Sequence, residues 1–441
     1  MYIQDNQNRF VGGYSLDNEN YSKEALRHIS QYTLKELIEK EDILVYPYSF
    51  EQGECNSRIL HFEEAESGDK VYTGNMMGFI GTGDTDIFIY SRFDNPGYNY
   101  LLHYMLQRIN SLSIFDLKAS SEKDDIQNFL LYLFPKLLTE AVLKGVYKSY
   151  QQRECNDTNI KGRIDINRHI RMNTPFNGSI AYTIREYSAD NPINQLIRHC
   201  IEYIKMHPIG KYLLNNNSEV KAAVSLICNV TNSYNQNDCH KILIKNQKVM
   251  LHPFYHKYRS LQKLSIAILS HKKYIYGEGE NKIHGILFDG AWLWEEYVAK
   301  VISNSFKHYT RKSSFKLFKD GNGSLFQSII PDYLSKDEPR IVADAKYISL
   351  DKSQGMNDER ALAIYYKTIA YMHRFNSNCG LLLYPTRFND KIEVYKIIET
   401  SSIIAKIGLN IADESNYKSF CAQMQRYEQD FLMGIQSVHH E

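Results

Sequence analysis

Apolar and polar positions alternate with two different periods along this chain, and the change of period marks its elements. Tyr32–Lys40 is expected to be a helix, DILVYPYSF (42–50) a strand, and MGFIGTGDTDIFIYSRF (77–93) two strands around a glycine turn. Gly81 and Gly83 lack the third glycine and the following helix of a dinucleotide site, so they are read as turn residues. YNYLLHYMLQRI (98–109) and the long segment 126–150 place apolar residues at helical spacing. In SADNPINQLIRHCIEYIKMHP (188–208), Asp190 or Asn191 before Pro192 starts a helix, with Ile193, Leu196, Ile197, Cys200, Ile201 and Ile204 on one stripe. YGEGENKIHG (276–285) reads as a linker.

Beyond that linker the character changes. ILFDGAWLWEEYVAKVISNSF (286–306) is expected to be a helix, and SSFKLF, LFQSIIPDYL, RIVADAKYI, CGLLLYP and IEVYKII are expected to be strands. A second helix, DERALAIYYKTIAYMHRF (358–375), falls between the third and fourth strands. The order helix, three strands, helix, two strands suggests a mixed sheet flanked by helices. The expected architecture is therefore α/β and multidomain: a mixed domain over 1–150, a largely helical region over 151–283, and a mixed-sheet domain over 284–441.

The chain's 441 residues are enough for two or three cores. Its 52 basic residues nearly cancel 51 acidic ones, so binding to a polyanion would have to rest on local patches. One such patch is the run Lys307, Arg311, Lys312, Lys316 and Lys319, which holds no acid. Seven scattered cysteines with no CxxC pair suggest reduced thiols in a cytoplasmic protein. Neither a signal peptide nor an 18-residue apolar run is seen, so export and membrane spanning are not expected. No GxxxxGK[ST] loop occurs, and any nucleotide-driven motor is expected to be another protein.

The chemistry is concentrated in IVADAKY, residues 341–347. On a strand, Asp344 and Lys346 project from one face while Ala343, Ala345 and Tyr347 project from the other. The acid-x-Lys pattern alone is weak, since it recurs at Asp116, Glu219 and Glu280. Its context adds weight: a preceding strand ends in Pro331-Asp332, and a hairpin return can bring the Asp332 carboxylate to that of Asp344. Two close carboxylates repel unless a cation joins them, and hard oxygen donors favour Mg²⁺ or Mn²⁺. An ammonium at Lys346 could orient a water and offset the charge of a phosphorane-like transition state.

Pro331, Asp332, Asp344 and Lys346 resemble the signature of the PD-(D/E)xK nuclease superfamily in order and spacing. The likeness narrows to the McrC family. ILFDGAWLWEEYVAK, PDYL, DAKY and GLLLYP resemble its successive segments, and KGRIDI and SADNPINQLI resemble its middle region. The resemblance covers about residues 140–400, and no motif is recognised in the first 130.

It implies a Mg²⁺- or Mn²⁺-dependent DNA endonuclease subunit acting in restriction of foreign DNA. Asp332 and Asp344 would hold the metal, Glu295 would assist from the first helix, and Lys346 would position water. It further implies a partner, an McrB-like AAA+ GTPase hexamer that this chain would stimulate, with residues 1–150 as a docking part. Lys312, Lys316 and Lys367 are candidate DNA contacts. Lys367 stands where the family commonly carries Gln in its second helix. Two other readings fit the same residues: a stand-alone repair or recombination nuclease, and an adaptor that activates a motor without cutting.

Overall fold

The computed structural model describes residues 1–7, 12–16, 21–47, 57–64, 68–82, 85–109, 122–208, 210–215, 217–248, 250–269, 283–309, 314–348, 350, 359–387 and 392–439. The chain forms two compact units, Met1–Phe129 with Lys273–Glu441, and Leu130–Lys272 inserted between them in sequence. The YSF end of the first expected strand, Gly83, most of the expected linker, Arg311 and Lys312 lie outside the described residues.

The first unit begins with β1 (Tyr2–Gln4), β2 (Asp42–Tyr46), β3 (Met76–Thr82) and β4 (Thr85–Tyr90), followed by α1 (Tyr100–Ile109). After the insertion comes β5 (Ile283–Asp289), and the five strands make one sheet in the order β1-β4-β3-β5-β2. β5 runs antiparallel to β3 and parallel to β2. This corrects the helix expected over 286–306. Its first four residues are strand, and the helix α2 covers only Gly290–Val301. Asp289 makes the switch, its Oδ1 accepting from the Trp292 amide at 2.7 Å as an N-cap. The helix expected over Tyr32–Lys40 is present as Leu34–Lys40, and a second, Lys23–Gln31, precedes it unanticipated; Thr33 and Ser22 cap them with their side chains. They pack Leu26, Ile29, Leu34 and Leu37 into a core with Ile80, Ile87, Ile89 and Leu287 from this sheet.

The same unit continues with β6 (Phe306–His308), β7 (Phe315–Lys319), β8 (Leu325–Ile329), β9 (Tyr333–Ser335), β10 (Ile341–Ala345), α3 (Glu359–Arg374), β11 (Cys379–Thr386), β12 (Glu393–Lys396), β13 (Ile403–Asn410) and α4 (Tyr417–His439). A six-stranded mixed sheet has the order β6-β9-β10-β11-β13-β12. β6, β9 and β10 pair antiparallel, and α3 carries the chain across to β11, which runs parallel to β10. The expected helix, meander, helix and strand are all present, with three differences. LFQSIIPDYL is broken at Ile330-Pro331 because Pro cannot donate to a ladder. SSFKLF and the first half of that segment form a separate two-stranded hairpin, β7–β8. The third difference is that the small strand β6 and the long strand β13 were not anticipated.

Two glycines mark close approach within this unit. A Cβ on Gly380 would sit 2.7 Å from the Met372 sulfur and the Thr368 methyl, where α3 lies on β11. One on Gly290 would meet the Tyr347 ring at 2.7 Å and the Asn75 carbonyl at 3.0 Å.

The inserted unit is chiefly helical, including Pro192–Met206, Ser218–Val230 and Lys257–Leu269. It also holds a three-stranded antiparallel sheet of Ser149–Asp157, Ile180–Ser188 and Arg163–Ile164. The capping residue is Asn191, which accepts from the Asn194 amide at 3.1 Å with Pro192 in the first turn. Leu196, Ile197, Cys200, Ile201 and Ile204 are fully buried, as their helical stripe requires. Arg168 is structural: its guanidinium donates to the carbonyls of Cys155 and Tyr182 at 2.8 and 2.6 Å.

Candidate metal centre

The strand period decides the geometry at β10. Val342 and Asp344 face α3, and Lys346 continues that face just past the strand end, its amide donating to the Leu383 carbonyl at 2.8 Å. Tyr347 turns the other way and is buried against Gly290, Met77 and Ser91. Asp332 enters from the break before β9 and is pinned by the Ala345 amide, which donates to its Oδ2 at 2.8 Å. The hairpin register thus brings the Asp332 and Asp344 carboxyls close enough for each to act on the other's charge.

The electrostatics of this pair are split. Burial first, then the negative charges of Asp344 and Glu295, push the Asp332 carboxyl well above the usual carboxylate range, and Lys346 offsets only part of this. Asp344 is 1% exposed, so burial would raise it too. The ammoniums of Lys346 and Lys367 outweigh burial and hold it below its ordinary value. Burial and charge thus push the two carboxyls apart, Asp332 toward its protonated form and Asp344 toward its ionised one. Lys346 contacts Asp344 Oδ2, and Lys367 lies 3.4 Å from Oδ1.

Glu295 occupies a neighbouring position, close enough for its charge to act on Asp332. Its Oε1 lies 2.8 Å from His308 Nε2, and its backbone carbonyl accepts from the Tyr333 hydroxyl at 2.6 Å. Among the described residues no group of three or more His, Cys, Asp or Glu side chains is disposed to hold a metal. The structure brings Asp332, Asp344 and Lys346 together, and Glu295 stands beside them engaged with His308.

Lys367 belongs to this centre more directly than a DNA contact would require. It sits on α3 one turn before Tyr371, whose hydroxyl donates to the Ile330 carbonyl at 2.8 Å and fixes the approach to Asp332. The sequence signals for this were the departure from Gln at position 367 and the i, i+4 spacing of Lys367 and Tyr371. Lys316 lies on β7, with Nζ donating to Ser328 Oγ at 2.7 Å.

The donor set fits a hard divalent cation. Two carboxyls share one space, one of them almost wholly buried, and burial together with their mutual repulsion disfavours a second negative charge there. A small oxygen-seeking ion would relieve that repulsion and take its remaining positions from water and substrate.

A long α/β chain with a meander-and-crossover sheet and a buried aspartate pair flanked by two lysines defines the class. The family model described as McrBC 5-methylcytosine restriction system component matches residues 71–385, and the chain belongs to that family, in agreement with its McrC-like motifs. It shares its fold with a chain of the Thermococcus gammatolerans assembly of McrB AAA+ hexamers with bound McrC. That match has 14% identity and a TM-score of 0.50, and covers 99% of each chain. A chain of the T. gammatolerans McrBC complex overlaps 69% of this chain and 87% of its own length at 13% identity, with a TM-score of 0.29 too low to bear on the fold. No curated protein matches. Among the described residues no helix is long and apolar enough to cross a membrane.

Proposed function

We propose that this chain is the DNA-cutting subunit of an McrBC-type restriction system, hydrolysing phosphodiesters with Mg²⁺ or Mn²⁺. The observation that carries the reading is the convergence of Asp332, Asp344 and Lys346 at the end of β10. Asp332 and Asp344 would hold the ion, whose chemistry is to polarise the phosphate and make water a better nucleophile. Lys346 orients the attacking water and balances charge as the new P–O bond forms and the bond to the sugar oxygen breaks. The sheet fixes all three groups, so little reorganisation is needed during the reaction.

The hairpin β7–β8 gives DNA a path to this centre. It leads straight into Asp332, and its outer face pairs Phe318 with Phe326, ring centroids 5.4 Å apart and both about half exposed, beside Lys316. Aromatic faces flanked by lysines suit nucleic acid. For the partner, the inserted unit exposes Ile164, Ile166, Ile170, Met172 and Phe176 around its small sheet, an apolar surface suited to docking on an AAA+ motor. The docking part then includes the inserted unit as well as residues 1–150.

The test is plasmid cleavage by the full chain with Mg²⁺, with and without an McrB-like GTPase and GTP. Cleavage stopped by EDTA and lowered about a hundredfold or more in Asp344→Asn is expected. Cleavage that survives Asp344→Asn would sink the assignment. Cutting without motor or nucleotide would favour the stand-alone nuclease. GTPase stimulation by a chain that never cuts would favour the adaptor.

A further inference from the structure

We infer that Lys367 is a built-in competitor for the divalent ion, its ammonium occupying Asp344 until the ion displaces it. The inference rests on the nuclease reading above and deepens it. Both oxygens of Asp344 are charge-paired, Oδ2 with Lys346 and Oδ1 with Lys367 at 3.4 Å. The two lysines are not equivalent. The Lys346 side chain is 19% exposed and its backbone is bonded to β11, so it stays with the sheet. The Lys367 side chain is 45% exposed, on a different element, and reaches Asp344 past the Tyr371 ring, 5.2 Å from its centroid. It can swing to solvent or to a phosphate without disturbing β10.

A divalent ion and an ammonium cannot share the same oxygen lone pairs, so metal entry requires Lys367 to leave. A neutral residue at 367 would remove the competitor and leave the two carboxylates with one ammonium. With Lys367 in place, the centre is held with little net charge until a cation arrives.

Mn²⁺ binding to the metal-free full chain, without DNA, is the test, measured by titration calorimetry and by the paramagnetic resonance of free Mn²⁺. The set is wild type, Lys367→Gln, Lys367→Met, Lys316→Gln and Asp344→Asn. Lys367→Gln and Lys367→Met are expected to bind Mn²⁺ about three- to tenfold more tightly than wild type, as loss of a partly screened ion pair implies. Lys316→Gln is expected to match wild type. Equal or weaker binding in both Lys367 variants overturns the inference while leaving the nuclease reading intact, provided Asp344→Asn abolishes the wild-type site. Absence of any site that depends on Asp344 overturns both.

Discussion

Replacing Arg92 by methionine would test how far the amino-terminal sheet supports the segment that carries Asp344 and Lys346. Arg92 follows β4, and its Nη2 donates to the carbonyl of Tyr347, the residue after Lys346, at 2.6 Å, and to Asn75 Oδ1 at 3.2 Å. Its guanidinium also lies 4.6 Å from the Tyr347 ring centroid and 4.0 Å from Asp5 Oδ2. Asp5 is fully buried, and its carboxyl is pushed up to about 6, by burial first, against the opposing pull of Arg92.

The sign follows from linkage. A carboxyl raised from 3.8 to about 6 in the folded state favours folding below pH 4, and that contribution, on the order of 3 kcal/mol, is lost as pH rises through 6. Without Arg92 the Asp5 carboxyl rises further, so the loss becomes larger and extends to higher pH. At pH 5 Asp5 is protonated, and Arg92→Met should cost about 2 kcal/mol for the hydrogen bonds to Tyr347 and Asn75. At pH 8 a buried, uncompensated carboxylate raises this to about 4 kcal/mol.

Both tryptophans, Trp292 and Trp294, lie on α2 of the same unit, so urea unfolding followed by tryptophan fluorescence reports on this body. Arg92→Met is expected to lose more stability at pH 8 than at pH 5, and adding Asp5→Asn should remove the difference. An equal loss at the two pH values would refute the role given to Asp5. A loss below about 1 kcal/mol at both would refute the clamp on Tyr347.

Two further outcomes are expected. Asp94, buried beneath the start of α1 and pushed up to about 7 by desolvation, should make stability fall as pH rises from 4 through 7. Asp94→Asn should flatten that slope in the same fluorescence assay, and an unchanged slope would mean Asp94 is not the titrating group. Phe318→Ser with Phe326→Ser should weaken DNA binding of the cleavage-dead Asp344→Asn chain by about tenfold or more in gel-shift titrations, and wild-type affinity would exclude the hairpin from the DNA path.

The aspartate pair could be read in the sequence because its logic is local. Two residues two apart on a strand share a face, and a hairpin return needs only turn residues. What the sequence left out depends on pairing at a distance. ILFD before Gly290 is an apolar run whose helix or strand state is settled by the partners β3 and β2, over 190 residues upstream. β7 and β8 alternate as sheet strands do, but nothing local says that they pair only with each other. β13 escaped notice because Lys406 and Gly408 interrupt IIAKIGLN. Lys406 is nonetheless buried, held by Glu393 at 3.5 Å and by the rings of Tyr395 and Tyr365. The ammonium of Lys367 over Asp344 is a tertiary fact, since α3 and β10 meet only after the sheet has formed.

The continuity of β5 into α2 carries a consequence for how such a chain can change over generations. A strand of one sheet becomes, without a spacer, the helix that supports the next, so the six-stranded sheet and its helices cannot be lifted away from the amino-terminal layers as a cassette. The segment Leu130–Lys272, by contrast, leaves that body and rejoins it as one uninterrupted stretch, free to lengthen or be exchanged while the chemistry stays fixed.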